Sequence, residues 1–111
     1  EIRELAEKSS IEEEADEILA ACRGYVIALA VEGEKLSSEK FASLIKKQTD
    51  AGKEITFLIG SSCGLAARVK QSADCRLSFS DMTLPHQLMR VVLCEQVYRA
   101  FMINAGSAYH K

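Results

Sequence analysis

The chain has 111 residues, 48% of them apolar and 27% charged, with a net charge of −2; this is the balance of an ordinary soluble globular domain, and the length allows one domain at most, spanning 1–111. No apolar run approaches the roughly 18–20 residues needed to cross a bilayer and no N-terminal signal pattern is present, so a cytoplasmic protein without a membrane partner is expected. Cys22, Cys63, Cys75 and Cys94 form no Cys-x-x-Cys pair and have no histidine at zinc spacing, which argues against a metal site or a redox dithiol.

Ser10-Ile11-Glu12-Glu13 fits a capping box, with Ser10 as N-cap and Glu13 reaching back; it opens a helix that runs to about Arg23 and ends at Gly24. Tyr25 to Val31 is a continuous apolar run, as expected of a strand buried on both faces of a parallel sheet, and Glu32-Gly33-Glu34 turns the chain. Ser37 or Ser38 caps a second helix with the stripe Phe41, Leu44, Ile45 and Gln48, closed by Gly52. Glu54 to Ile59 predicts a second buried strand. The loop Gly60-Ser61-Ser62-Cys63-Gly64 follows, then a short helix near Leu65–Gln71 and a third strand at Arg76–Phe79.

Pro85 suits the first turn of a last helix, where its missing N–H costs nothing; that helix runs to about Asn104, with Gly106 just beyond. Strand and helix alternate, so the expected fold is α/β with a mostly parallel sheet. The last helix is apolar nearly all round (Leu88, Met89, Val91, Val92, Leu93, Val97, Tyr98, Phe101, Met102). A helix on the edge of a small monomer needs one apolar stripe, so the surplus favours a homodimer. Cys22, Cys75 and Cys94 read as small buried apolar residues and Cys63 as a loop thiol.

Charge is unevenly placed. Residues 1–17 hold eight acids against Arg3 and Lys8, while residues 18–111 hold twelve bases against eight acids. The mildly basic body permits phosphate contact without demonstrating it, because a nucleic-acid footprint needs bases clustered on one face.

In open parallel sheets ligands bind at the carboxyl ends of the strands, which here supply Leu29–Gly33, Gly60–Gly64 and Phe79–Leu84. Free backbone groups in such loops can read an adenine edge, with apolar side chains flanking the ring. Gly60 and Gly64 allow close backbone approach, although a tight strand-to-helix turn explains them equally well; the loop is neither a Walker loop nor a dinucleotide fingerprint. His86, in the first turn of the last helix, suits a neutral side chain, because the helix dipole disfavours a cation there. No Ser-His-Asp order and no paired carboxylates suggest a hydrolase.

Three blocks occur in order: Leu77-Ser78-Phe79-Ser80-Asp81-Met82-Thr83-Leu84-Pro85-His86-Gln87-Leu88, Glu95-Gln96-Val97-Tyr98-Arg99-Ala100, and Tyr109-His110-Lys111, with Phe57-Leu58-Ile59-Gly60 and Gly64-Leu65 upstream. Together they closely resemble the small SPOUT methyltransferases that modify a pseudouridine in large-subunit ribosomal RNA. The resemblance covers residues 25–111 well and 1–24 loosely. It implies a deep C-terminal trefoil knot, an exception to the usual rule against threading, and a homodimer packed through the last helix. The implied cofactor is S-adenosyl-L-methionine, held by Leu29, Gly60, Phe79, Ser80, Asp81, Met82, Thr83 and Leu84. The implied acceptor is N3 of a pseudouridine in 23S ribosomal RNA of the ribosome, with His110 beside Tyr109 as the catalytic candidate and Arg90 and Arg99 as candidate phosphate contacts.

Two departures stand out. Gly60-Ser61 replaces a glycine pair common among relatives, and the family's N-terminal strand–helix–strand segment is expected to be lacking, with Glu1-Ile2-Arg3-Glu4-Leu5 resembling the tail of its last strand. The competing readings are a truncated, non-catalytic dimeric cofactor-binding module of the same fold and a nucleotide-binding α/β domain of another kind.

Overall fold

The computed structural model describes residues 16, 18–59, 67–80 and 82–108. The expected Ser10 cap and the Cys63 thiol lie outside them. Residues 18–21 are helical. Gly24, with a φ of +66°, then turns the chain into the first strand. The Thr56 hydroxyl braces this turn, donating to the Arg23 carbonyl at 2.6 Å and accepting its N–H at 3.2 Å.

Strand β1 (Tyr25–Lys35) lies between β2 (Ile55–Leu58) and β3 (Cys75–Ser78), and all described pairings are parallel. Val26, Ile27, Ala28 and Leu29 are buried, as the continuous apolar run predicts. Their side chains alternate between two layers. Ile27 and Leu29 join Phe41, Ala42, Ile45, Leu77 and Ala100 in the main core, whereas Ala28 meets Val69, with Ile18 and Leu19 packed alongside.

Helices therefore cover both faces of the sheet: α1 (Ser38–Asp50) and α3 (His86–Asn104) on one, α2 (Ala67–Ser72) and residues 18–21 on the other. Ser37 is the cap of α1, its Oγ accepting the Lys40 N–H at 3.1 Å. Ser38 is freed for another partner and donates to Gln96 Oε1 at 2.8 Å. At the other end of the contact Asn104 Nδ2 donates to the Ala42 carbonyl at 3.0 Å. Two side-chain bonds thus pin α3 across α1, above the tilted ring pair Phe41–Phe57, whose centroids are 6.2 Å apart.

Four expectations change. Glu32-Gly33-Glu34 is part of β1 instead of a turn outside it: Leu77 pairs with both Leu29 and Glu34, and Ala30–Gly33 make an excursion between the two pairings. Gly33 then lies so close to β3 that a Cβ would sit 2.7 Å from the Arg76 carbonyl carbon. Strand β2 is half-buried along its length, because it has β1 as its single described neighbour. Pro85 is the N-cap of α3 and lies just outside the first turn; its extended backbone (φ −59°, ψ 147°) leaves its carbonyl to accept the Met89 N–H at 2.9 Å.

Cys94 is exposed, on the outer side of α3, and not a core residue. Cys22 and Cys75 are half-buried, and burial pushes both thiols above their ordinary value. The inner side of α3 is Met89, Leu93, Val97, Ala100 and Ile103; Leu88, Val91, Tyr98 and Phe101 are left exposed on the other side.

Candidate cofactor site at the strand ends

Because the three strands are parallel, their carboxyl ends gather at one edge. The register aligns Ala28 with Leu58 and Leu29 with Leu77, so Leu29, Ile59 and Phe79 all reach the same cluster at the point where the loops leave the sheet. Leu29 is 5% exposed and Phe79 half-buried. Between β3 and α3 the backbone is shaped by two serines. Ser78 Oγ donates to the Ser80 carbonyl at 2.9 Å, and the Met82 N–H donates to Ser80 Oγ at 3.0 Å. Leu84 is half-buried, Thr83 exposed, and the Met82 side chain 74% exposed.

The structure brings Leu29 and Phe79 into one cluster, with Ser80 and Met82 in the turn that follows; Thr83 and Leu84 lie on the segment that leads on to α3. Gly60, Asp81, Tyr109, His110 and the His86 side chain lie outside the described residues. Sequence reasoning overlooked Ser78. The signal was a hydroxyl between Leu77 and Phe79, at a strand position where a buried apolar residue is favoured.

A cavity of about 230 Å³ lies beneath Phe79, bounded by Ser37, Phe41, Leu77 and Gln96. A larger one, about 470 Å³, is lined by Tyr25, Asp74 and Cys75 from the starts of β1 and β3 together with Glu32 and Glu34 from the later part of β1 and by Arg76. Its lining is rich in acids. Burial, then the neighbouring Cys75, Asp74 and Glu34, raise the Tyr25 hydroxyl; burial and then Glu34 raise the Cys75 thiol. Glu32 is lowered, chiefly by the hydrogen bond from Lys70 Nζ at 2.6 Å. An acidic wall of this kind repels phosphate, and the strand-end edge remains the candidate for the chemistry.

Of the arginines considered for phosphate, Arg99 is engaged with Glu95 at 3.0 Å and Arg90 with Gln87 at 3.3 Å. Among the described residues no group of three or more His, Cys, Asp or Glu side chains could hold a metal ion.

A parallel sheet covered on both faces, with a compact polar turn leading from its third strand into a long C-terminal helix, is the frame of a ligand-binding α/β protein. Residues 1–110 match the family model described as "Predicted SPOUT methyltransferase", and the chain belongs to that family. It is 54% identical over 104 residues to the ribosomal RNA large subunit methyltransferase H of Streptococcus uberis, covering 91% of this chain and 65% of that protein. The protein of the same name from Levilactobacillus brevis is 58% identical over 102 residues, covering 89% of this chain and 64% of the relative. The chain thus spans about two thirds of the length of these curated relatives.

Proposed function

We propose that this protein is an S-adenosyl-L-methionine-dependent methyltransferase acting on N3 of a pseudouridine in 23S ribosomal RNA, in the cytoplasm and on the ribosome. The observation that carries the reading is the strand-end edge: Leu29, buried where β1 breaks its first pairing with β3, in the same apolar cluster as Phe79, where the turn begins. The residues suit the cofactor. Leu29, Phe79 and Leu84 supply apolar walls for a planar adenine, and the backbone of Thr83 and Leu84 supplies polar groups to read its edge. Gly60, Ser80, Asp81 and Met82 complete the proposed set. When bound, the cofactor supplies an electrophilic methyl group on a sulfonium.

On the acceptor side, the N3 imide proton must leave as the N3–methyl bond forms. His110, with Tyr109 beside it, is assigned to orient the base and take that proton. Holding the two reactants in line supplies much of the rate. We assign residues 1–111 to one domain with the family's C-terminal knot, and we place a homodimer contact on the outer side of α3, where Leu88, Val91, Tyr98 and Phe101 are exposed. Calorimetric titration tests the reading: S-adenosylmethionine and S-adenosylhomocysteine should bind, and ATP and NAD should not. Tighter binding of ATP than of S-adenosylmethionine would overturn it.

A further inference from the structure

We propose that Ser78 is a positioning residue for the cofactor segment: its buried hydroxyl fixes the backbone at Phe79 and Ser80 in the shape that receives the ligand. The inference rests on the strand-end edge being the S-adenosylmethionine site. Ser78 is 4% exposed, the last residue of β3, between the core residue Leu77 and the half-buried Phe79, which packs against the core. A buried hydroxyl is costly unless bonded, and a strand position of this kind favours a β-branched apolar residue.

What the hydroxyl does is local. It donates to the carbonyl of Ser80, two residues on, which turns the chain out of the β3 ladder. The Ser80 hydroxyl takes up the relay by accepting the Met82 N–H. Two side chains thus engage Ser80 C=O and Met82 N–H internally, and we assign the backbone of Thr83 and Leu84 to the ligand. The segment is held from both sides as well: Phe79 packs on the core, and the Pro85 carbonyl receives the first turn of α3. A turn fixed in this way is ordered before the ligand arrives, so binding does not have to order it.

Titration of the 111-residue chain with S-adenosylhomocysteine, alongside amide hydrogen exchange, tests the proposal. Ser78→Ala and Ser78→Cys, the latter matched in size but a poor donor, should bind about threefold to tenfold more weakly, as should Ser80→Ala. In all three the Met82 amide should lose protection while the amides of Val26–Leu29 keep theirs. Binding by Ser78→Ala within twofold of the unmodified chain overturns the proposal. So does weaker binding accompanied by lost protection along β1, which marks a merely structural role.

Should Ser78→Ala not fold, Ser80→Ala gives the answer: weaker binding with β1 protection kept supports the relay, and unchanged binding overturns it. An unmodified chain that binds no S-adenosylhomocysteine brings down the site assignment itself. That result is distinct from an unmodified chain that binds and a Ser78→Ala variant that binds equally well.

Discussion

Asp74 and Val26 are bonded to each other twice. The Val26 N–H donates to Asp74 Oδ2 at 2.8 Å, and the Asp74 N–H donates to the Val26 carbonyl at 2.9 Å. This exchange closes the end of the β1–β3 ladder just before Ile27 and Cys75 pair, and it uses a side chain where the ladder has no backbone acceptor to offer. Asp74→Ala should destabilise the protein by about 1.5–2 kcal/mol, the lower part of the range for a bond to a charged group because Asp74 is exposed. Asp74→Asn keeps an acceptor and should lose less than half of that. Urea unfolding followed by circular dichroism measures both; equal losses for the two variants would remove the bond as the explanation.

Two glycines with left-handed backbones should respond very differently to a methyl group. At Gly24, with φ +66°, a Cβ would overlap the Glu54 carbonyl oxygen, which also accepts the Tyr25 N–H at 2.8 Å. At Gly52, with φ +78°, nothing lies within 4 Å of the same atom. Gly52→Ala should therefore lose only the conformational term, about 1–2 kcal/mol. Gly24→Ala should lose about 3 kcal/mol or more, since the carbonyl it strikes belongs to Glu54, the residue just before β2. Comparing the two melting curves checks the ordering.

Stability should fall on the alkaline side. Burial and nearby acids raise Cys75 and Tyr25 in the folded protein, so the folded state favours their protonated forms. Their contribution is complete below the unfolded values, about 8.5 for cysteine and 10 for tyrosine, and is lost as pH rises through the higher folded values. The urea midpoint should be level from pH 7 to about 8 and decline above it, with a shallower decline in Cys75→Ala. Glu32 runs the other way: lowered by Lys70, it contributes above the unfolded carboxylate range and loses that contribution in acid. Since the Glu32 side chain is largely exposed, that acid limb should be small.

The proposed dimer has a specific test. Val91 is 65% exposed and lies in line with Leu88, Tyr98 and Phe101 on the outer side of α3, whereas Val97 packs against the main core. Val91→Asp should give a monomer in sedimentation with its circular dichroism unchanged. Val97→Asp should unfold the protein, and a monomeric mass for the unmodified chain at micromolar concentration would count against the interface.

His110→Ala should lower methyl transfer to ribosomes by about 10²–10⁴-fold if the histidine removes the acceptor proton, with cofactor affinity changed by no more than a few-fold. kcat and kcat/KM should fall together, the mark of an interaction made only in the transition state. Unimpaired turnover would make the histidine a bystander.

Local chemistry was legible in the sequence wherever it had one solution. A cap at Ser37 or Ser38, a stripe that includes the buried Phe41, Ile45 and Gln48, the apolar run that holds Val26–Leu29 and a helix end just before Gly106 all follow from residues within a few positions of one another. The inner and outer sides of α3 were not legible, because a helix apolar on every side carries no period to mark the side that meets α1; Cys94 was misplaced for the same reason. The extent of β1 was hidden too. Glu32-Gly33-Glu34 has the composition of a turn, and Glu34 is in the sheet only because Leu77, far along the chain, is there to pair with it. For the site, the sequence marked the strand-end loops but not the hydroxyl relay from Ser78 to Met82, which depends on where a single carbonyl points.

The pairing of β1 with β3 also sets a schedule for folding. Val26 and Asp74 are 48 residues apart in the chain, and all of α1, β2 and α2 is made in between. At about 5–20 residues per second a ribosome needs roughly 2–10 s to make that stretch. Even once β2 has been made within that interval, β1 lacks β3, and one side of its most apolar run stays open to pairing with other chains. The same separation gives the finished domain a high share of non-local contacts, the topology that folds slowly even at equal stability. A nascent chain ending before Cys75 should therefore be the form most prone to aggregate, and release from that state should come with the few residues of β3.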